Sequence, residues 1–190
     1  RRHTRYNVVT GVQTALPILE HARAQGAQRF AWLGDLVGYG ADPGYAVRQA
    51  MALVAQGHCV IGGNHDALAV HPLQPNDPAA RTVAAQGASW THAQLTAPER
   101  DFLAALPLVA EVGGVLLVHA SADAPERWRY VDNEMVAQQC LDAATQRPGI
   151  RHVFCGHVHR NTLYYRGTGR RLMRFTPQPG VAIPVPRHRQ

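Results

Sequence analysis

Phe30-Ala31-Trp32-Leu33 runs straight into Gly34-Asp35, a short apolar stretch closed by a glycine and a carboxylate, and the same punctuation recurs along the chain. Cys59-Val60-Ile61 leads into Gly63-Asn64-His65-Asp66, Val115 to Val118 into His119-Ala120-Ser121, and His152 to Cys155 into Gly156-His157-Val158-His159. Each apolar run reads as a buried strand. In an open α/β sheet, ligands bind in the crevice at the carboxyl ends of the strands. The four polar blocks are therefore expected to meet in one place.

The residue types suit metal ions. Neutral imidazole and carboxylate bind divalent transition metals well, and an Asn carbonyl oxygen is an acceptable hard ligand. A His-x-His pair on an extended segment sends its rings to opposite faces unless the chain turns, which Gly156 permits. A single GD or HxH is weak, since a lone histidine is more commonly a hydrogen-bonded or surface residue. Four such blocks at strand ends are hard to assemble by chance. Asp35 is the best bridging candidate, because a carboxylate has two oxygens to divide between cations.

The ordered set GDLVGYG (34–40), GNHD (63–66), VHAS (118–121) and GHVH (156–159) resembles the calcineurin-like metallophosphoesterase superfamily, and in particular its small bacterial and archaeal phosphoesterases. The similarity runs from about Leu19 to the C-terminus. It implies a four-layer α/β sandwich, two mixed β-sheets flanked by helices. It also implies a phosphoester hydrolase with two divalent metal ions, manganese first among them and iron, zinc or nickel as alternatives. Carried over by motif position, Asp35 would bridge both ions, Asn64, His119 and His157 would complete the second metal site, and His159 would serve the first. In that chemistry ions about 3.5–4 Å apart share a hydroxide that attacks phosphorus in line. His65 is expected to protonate the leaving alkoxide, with Asp66 holding its ring in the protonated tautomer.

The chain departs from the family pattern at its start. An Asp-x-His block is expected among residues 5–17, and that stretch contains neither residue type. Residues 1–18 are read as foreign to the domain, because RRHTRY, VVTGVQT and ALPI are similar to a peptide encoded by adapter DNA. The expected domain is 19–190, lacking the first strand and the closing C-terminal strands, and so incomplete at both termini. If the missing block is genuine, the alternative is a weakly active or non-catalytic regulatory protein holding one ion on Asp35, Asn64, His119 and His157.

Composition bounds the remaining classes. With 46% hydrophobic and 17% charged residues, 190 residues make an ordinary globular domain. No apolar run approaches the roughly 20 residues that span a bilayer, and no secretory leader is evident, so no membrane partner and a cytoplasmic location are expected. Cys59, Cys140 and Cys155 are odd in number and lie in apolar or helical contexts, which favours reduced thiols. The net charge of +6 falls to +3 without Arg1, Arg2 and Arg5, and no basic stripe remains, so nucleic acid is not expected as a partner. A small phosphoester or phosphoprotein is the expected substrate.

The elements alternate. Leu19 to Gln25 reads as the tail of a first helix closed by Gly26. Asp42-Pro43 opens another, with Tyr45, Val47, Ala50, Met51 and Val54 as its apolar face. Residues 71–78 are a loop, followed by helices over Pro78 to His92 and Pro98 to Leu106, the second opened by the capping box Thr96-Ala97-Pro98-Glu99. Trp90 and His92 are candidates for a pocket wall, with helix packing the commoner role for Trp90. Gly113-Gly114 joins a hairpin. Arg127 or Arg129, in a polar-aromatic stretch near the expected site, could meet a phosphate. A helix from about Asn133 to Thr145 and a final hairpin, Thr162 to Tyr165 with Leu172 to Phe175, complete the reading.

Overall fold

The computed structural model of the chain describes residues 12–166, 172–178 and 181. The turn expected at 166–169 lies almost wholly outside these residues, as do positions 1–11 of the segment read as foreign and most of the C-terminal stretch. The first helix, α1, runs Val12–Ala24, and Gly26 beyond it takes φ +88°. Strand β1 (Ala31–Leu33) and strand β2 (Cys59–Ile61) pair in parallel, Leu33 opposite Ile61, with helix α2 (Pro43–Ala55) as the crossover. Because the strands are parallel and in register, Asp35 and Asn64 leave them at the same end.

A second, mixed sheet repeats this logic. Strands β3 (Val109–Val112) and β4 (Val115–Val118) form an antiparallel hairpin through Gly113 and Gly114, at φ +58° and +82°. Both turn residues thus lie where side chains are disfavoured, as a tight hairpin requires. Strand β5 (His152–Cys155) pairs in parallel with β4, Val118 opposite Cys155, after a crossover through helix α6 (Glu134–Thr145). The Gly156 amide then donates to the His119 carbonyl at 3.0 Å, so these two blocks also emerge together. The two sheets are stitched by the Gly62 amide on the Pro107 carbonyl, 2.9 Å. The final strands, β6 (Leu163–Arg166) and β7 (Leu172–Phe175), pair antiparallel with each other.

Two apolar cores hold the layers. One gathers Val47, Ala50, Leu53, Val60, Ala69 and Leu103 beneath α2 and two later helices, α3 (Asn64–Val70) and α5 (Ala97–Ala104). The other packs Leu116 and Val118 of β4 against Cys140 and Ala144 of α6. The buried stripe of α2 is Ala46, Val47, Ala50 and Leu53, spaced for one helical face. Met51 and Val54, expected on it, are exposed.

The expected helix over Pro78 to His92 is corrected to two elements. Pro78–Arg81 is a single 3-10 turn, and helix α4 starts afresh at Val83. The cause is Thr82, which stays extended at φ −68°, ψ 149° and caps the new helix by accepting from the Ala85 amide. The capping box of α5 forms as read, with Glu99 taking the Thr96 amide at 2.8 Å. Trp90 on α4 is exposed, and His92 ties α4 to α3 by donating to the Ala69 carbonyl at 2.8 Å. Cys59, Cys140 and Cys155 are free thiols. Among the described residues, no helix is long and apolar enough to cross a membrane.

Candidate metal centre

The four blocks converge on one atom, Nε2 of His119. Asn64 Oδ1 lies 3.1 Å from it, His157 Nδ1 3.2 Å and Asp35 Oδ2 3.3 Å. Two backbone carbonyls set the tautomers: His119 Nδ1 donates to Leu33 O at 2.5 Å, and His157 Nε2 donates to Trp128 O at 2.9 Å. With those protons committed outward, both rings turn an unprotonated nitrogen toward the cluster, the arrangement that outer hydrogen bonds impose on metal-ligating histidines. Asp35 Oδ2 is buried with no hydrogen-bond donor. Four lone-pair atoms thus face one another without hydrogens to share, which leaves a buried carboxylate oxygen uncompensated unless a cation joins it. Asp35, His119 and His157 form the group of ligating side chains whose donor atoms lie within 4.8 Å of one another. The donor set of carboxylate, amide oxygen and two imidazoles fits a divalent transition metal.

Without a metal, the protonation tendencies are those of a cluster that takes up a proton on His119. Burial alone would raise Asp35, but the bond and charge of His119 and the His65 amide bring its carboxyl below the ordinary value. Burial alone would lower His119, but Asp35 and the Leu33 carbonyl raise it. His157 is lowered, by burial first and then by the charge of His119. In the absence of metal a proton on His119 is the smallest cation that relieves the cluster.

The backbone is bent to make this site. Among the described residues, four non-glycines have positive φ: Asp35 (54°), Trp128 (52°), His157 (63°) and His159 (54°). All four belong to the site or its rim, and backbone held in this region costs of order 1–3 kcal/mol per residue. The turn at His157 also resolves the His-x-His geometry. His157 points into the cluster and is buried, while His159 is exposed and lies against Tyr39, ring centroids 5.4 Å apart. Glycine makes the close approach possible: a methyl on Gly63 would collide with the Asp35 carboxylate and amide.

His65 and Asp66 part company. The His65 amide donates to Asp35 Oδ1 at 3.0 Å, and its ring Nε2 meets the Tyr39 hydroxyl at 2.9 Å. The expected bond from Asp66 to the His65 ring is not formed. Asp66 instead accepts from the Gly63 amide at 2.9 Å and the Val37 amide at 3.1 Å, and is fully buried. The reason is helical geometry: adjacent residues at the start of α3 point apart, and the third residue of a helix reaches back to its cap. Asp66 thereby clamps the loop after Asp35 to the loop after β2.

Its carboxyl is pushed up to about 7, chiefly by burial, with the charge of Asp35 adding and the two amides opposing. A carboxyl that holds its proton more tightly when folded stabilises the fold at low pH. That contribution is lost as pH rises from its unfolded value of 3.8 through about 7. In metal-free protein the melting temperature is therefore expected to fall across this window. The Asp66→Asn protein should show a flatter fall, and thermal unfolding against pH in a chelator checks it.

Sequence reasoning placed the stretch holding Trp128 and Tyr130 near the site but gave a role there only to its arginines, and it gave none to Tyr39 or to the ring of Tyr130, which stacks on His157 with centroids 3.9 Å apart. The signal available was the polar-aromatic stretch 125–130. Arg129 from that stretch is held by Asp123 Oδ2 and Gln139 Oε1, both at 2.6 Å.

Among curated proteins none is similar enough to count as a relative. The chain is similar to the crystal structure of a metallophosphoesterase from Sphaerobacter thermophilus, at 30% identity and a TM-score of 0.56, over 80% of this chain and 59% of that one. This chain thus spans less than two thirds of that protein. The calcineurin-like phosphoesterase family model matches residues 11–161, across all four blocks. By that match, the chain belongs to the calcineurin-like phosphoesterase family.

Proposed function

We propose that the chain hydrolyses phosphoesters with the help of a divalent cation held by Asp35, Asn64, His119 and His157. The observation that carries this reading is the convergence of three ligand atoms on a fourth, His119 Nε2, including the buried, undonated Asp35 Oδ2. A divalent metal bound there supplies Lewis-acid polarisation of phosphoryl oxygen and an acidified water. The chain's own residues do the rest. Asp35 presents one oxygen to the cluster while the His65 amide fixes the other, so its carboxylate cannot swing away. The His65 ring, half-buried and leaning on Tyr39 with centroids 4.5 Å apart, stands beside the cluster and outside it, where it can protonate a departing alkoxide.

Small organic phosphoesters and phosphoproteins are the proposed substrates, manganese the proposed metal and the cytoplasm the proposed location. Metal-loaded protein should release nitrophenolate from p-nitrophenyl phosphate or its bis ester, and the ratio separates monoesterase from diesterase. His65→Asn is expected to lower kcat by about 10²–10⁴-fold with bound metal unchanged. Turnover near wild type in that variant would remove His65 from the chemistry.

A second reading, a one-ion protein of weak or regulatory activity, has one specific observation behind it. The described residues bring together one group of ligating side chains, and His159, expected to serve the other ion, is exposed and rests on Tyr39. A metal-to-protein ratio near one, with neither nitrophenyl ester hydrolysed, would favour it.

A further inference from the structure

Beside the metal cluster stand two tyrosines whose rings are only half covered. Tyr130 lays one face on His157, nearly parallel at 20° and 3.9 Å between centroids, and remains 56% exposed. Tyr39 packs against His65 and, more loosely, His159, and remains 46% exposed. Both rings therefore touch histidines of the site while keeping part of their surface exposed. The backbone is shaped to hold one of them there. Trp128, at φ 52°, turns the chain so that its carbonyl takes His157 Nε2 and Tyr130 two residues later covers the same imidazole. Of the two arginines in this stretch, Arg129 is bound to Asp123 and Gln139.

Exposed aromatic faces next to a charged, desolvated cluster suit a ligand with a flat ring on one end and an anion on the other, because aromatic rings stack in offset or edge geometry. We propose that Tyr39 and Tyr130 form a subsite for a planar aromatic group, so that the substrates are aryl or nucleoside phosphoesters in preference to alkyl ones. This rests on the phosphoester reading above. Tyr130 acts as a specificity residue, touching the organic part of the ligand while the cluster takes the phosphoryl oxygens.

The test uses non-hydrolysable ligands and reads binding, not turnover. Phenylphosphonate and methylphosphonate are titrated calorimetrically into manganese-loaded wild type, Tyr130→Ala and Tyr130→Phe. Wild type is expected to bind phenylphosphonate about 10-fold more tightly, the size of one ring contact. Tyr130→Ala should bring the two affinities close to parity by weakening phenylphosphonate alone, and Tyr130→Phe should keep the preference. Equal affinities in wild type, or an equal loss of both ligands in Tyr130→Ala, would overturn the subsite and leave the phosphoester reading standing. Failure of wild type to bind either phosphonate would overturn both.

Discussion

Asp35→Asn is expected to abolish the stabilisation of the protein by manganese and to cut phosphoester hydrolysis by roughly 10³-fold, the size of several kcal/mol of lost Lewis-acid assistance. The substitution changes little in shape and a great deal in charge. One oxygen of Asp35 accepts from the His65 amide at 3.0 Å; the other is buried, without a donor, 3.3 Å from His119 Nε2. An amide there, with its oxygen kept on His65, would point its NH2 group into the cluster and donate to the neighbouring lone pairs. That satisfies the metal-free site and removes the negative charge that attracts a cation. The rise in melting temperature on adding manganese, which reports binding to the folded state, should therefore disappear. Thermal unfolding of both proteins with and without manganese decides it. A variant that keeps the manganese-dependent rise would place the ion elsewhere.

Gly34→Ala is expected to cost about 3–5 kcal/mol, at the upper end of single-residue effects. A Cβ at Gly34 would lie 2.6 Å from the Gly63 nitrogen, 2.7 Å from its Cα and 2.8 Å from the Gly62 carbonyl carbon, all backbone, and the residue is at φ +87°. No side chain can rotate aside, so the loops carrying Asp35 and Asn64 must separate. Gly57 provides the control: its φ of +82° is similar but nothing lies within 4 Å. Gly57→Ala should cost only the left-handed penalty of about 1–2 kcal/mol. Denaturant unfolding of the pair separates close approach from backbone strain, and equal losses would show that the contact between the loops carries no stability.

Much of this arrangement was legible because it is written in short range. The strands Cys59–Ile61, Val109–Val112, Val115–Val118 and His152–Cys155 are short, mostly apolar runs that end at or next to glycine or polar residues, and they form at those positions. Asp42-Pro43 and Thr96-Pro98-Glu99 carry their own capping chemistry, which tertiary packing did not override. Parallel pairing then brings the strand ends together without further information.

What was not legible depends on backbone direction and on partners distant in sequence. Nothing local says that Asp35, His157 and His159 take positive φ, and those angles decide that His157 enters the cluster and His159 faces out. The proximity of Asp66 to His65 in sequence misled because neighbours on a helix diverge, while Tyr39, 26 residues away, reaches the ring. The break at Thr82 escaped notice because a threonine that caps a helix and one inside it look alike until the backbone is seen.

The central claim is that the strand ends build a cation site that supports phosphoester hydrolysis. Its most direct test is the rate of p-nitrophenyl phosphate and bis-p-nitrophenyl phosphate hydrolysis by chelator-stripped protein as manganese is added back. The expected result is negligible activity without metal and a saturable rise for at least one ester, absent in Asp35→Asn. A rate that is independent of manganese, or no hydrolysis of either ester with the metal bound, would contradict it.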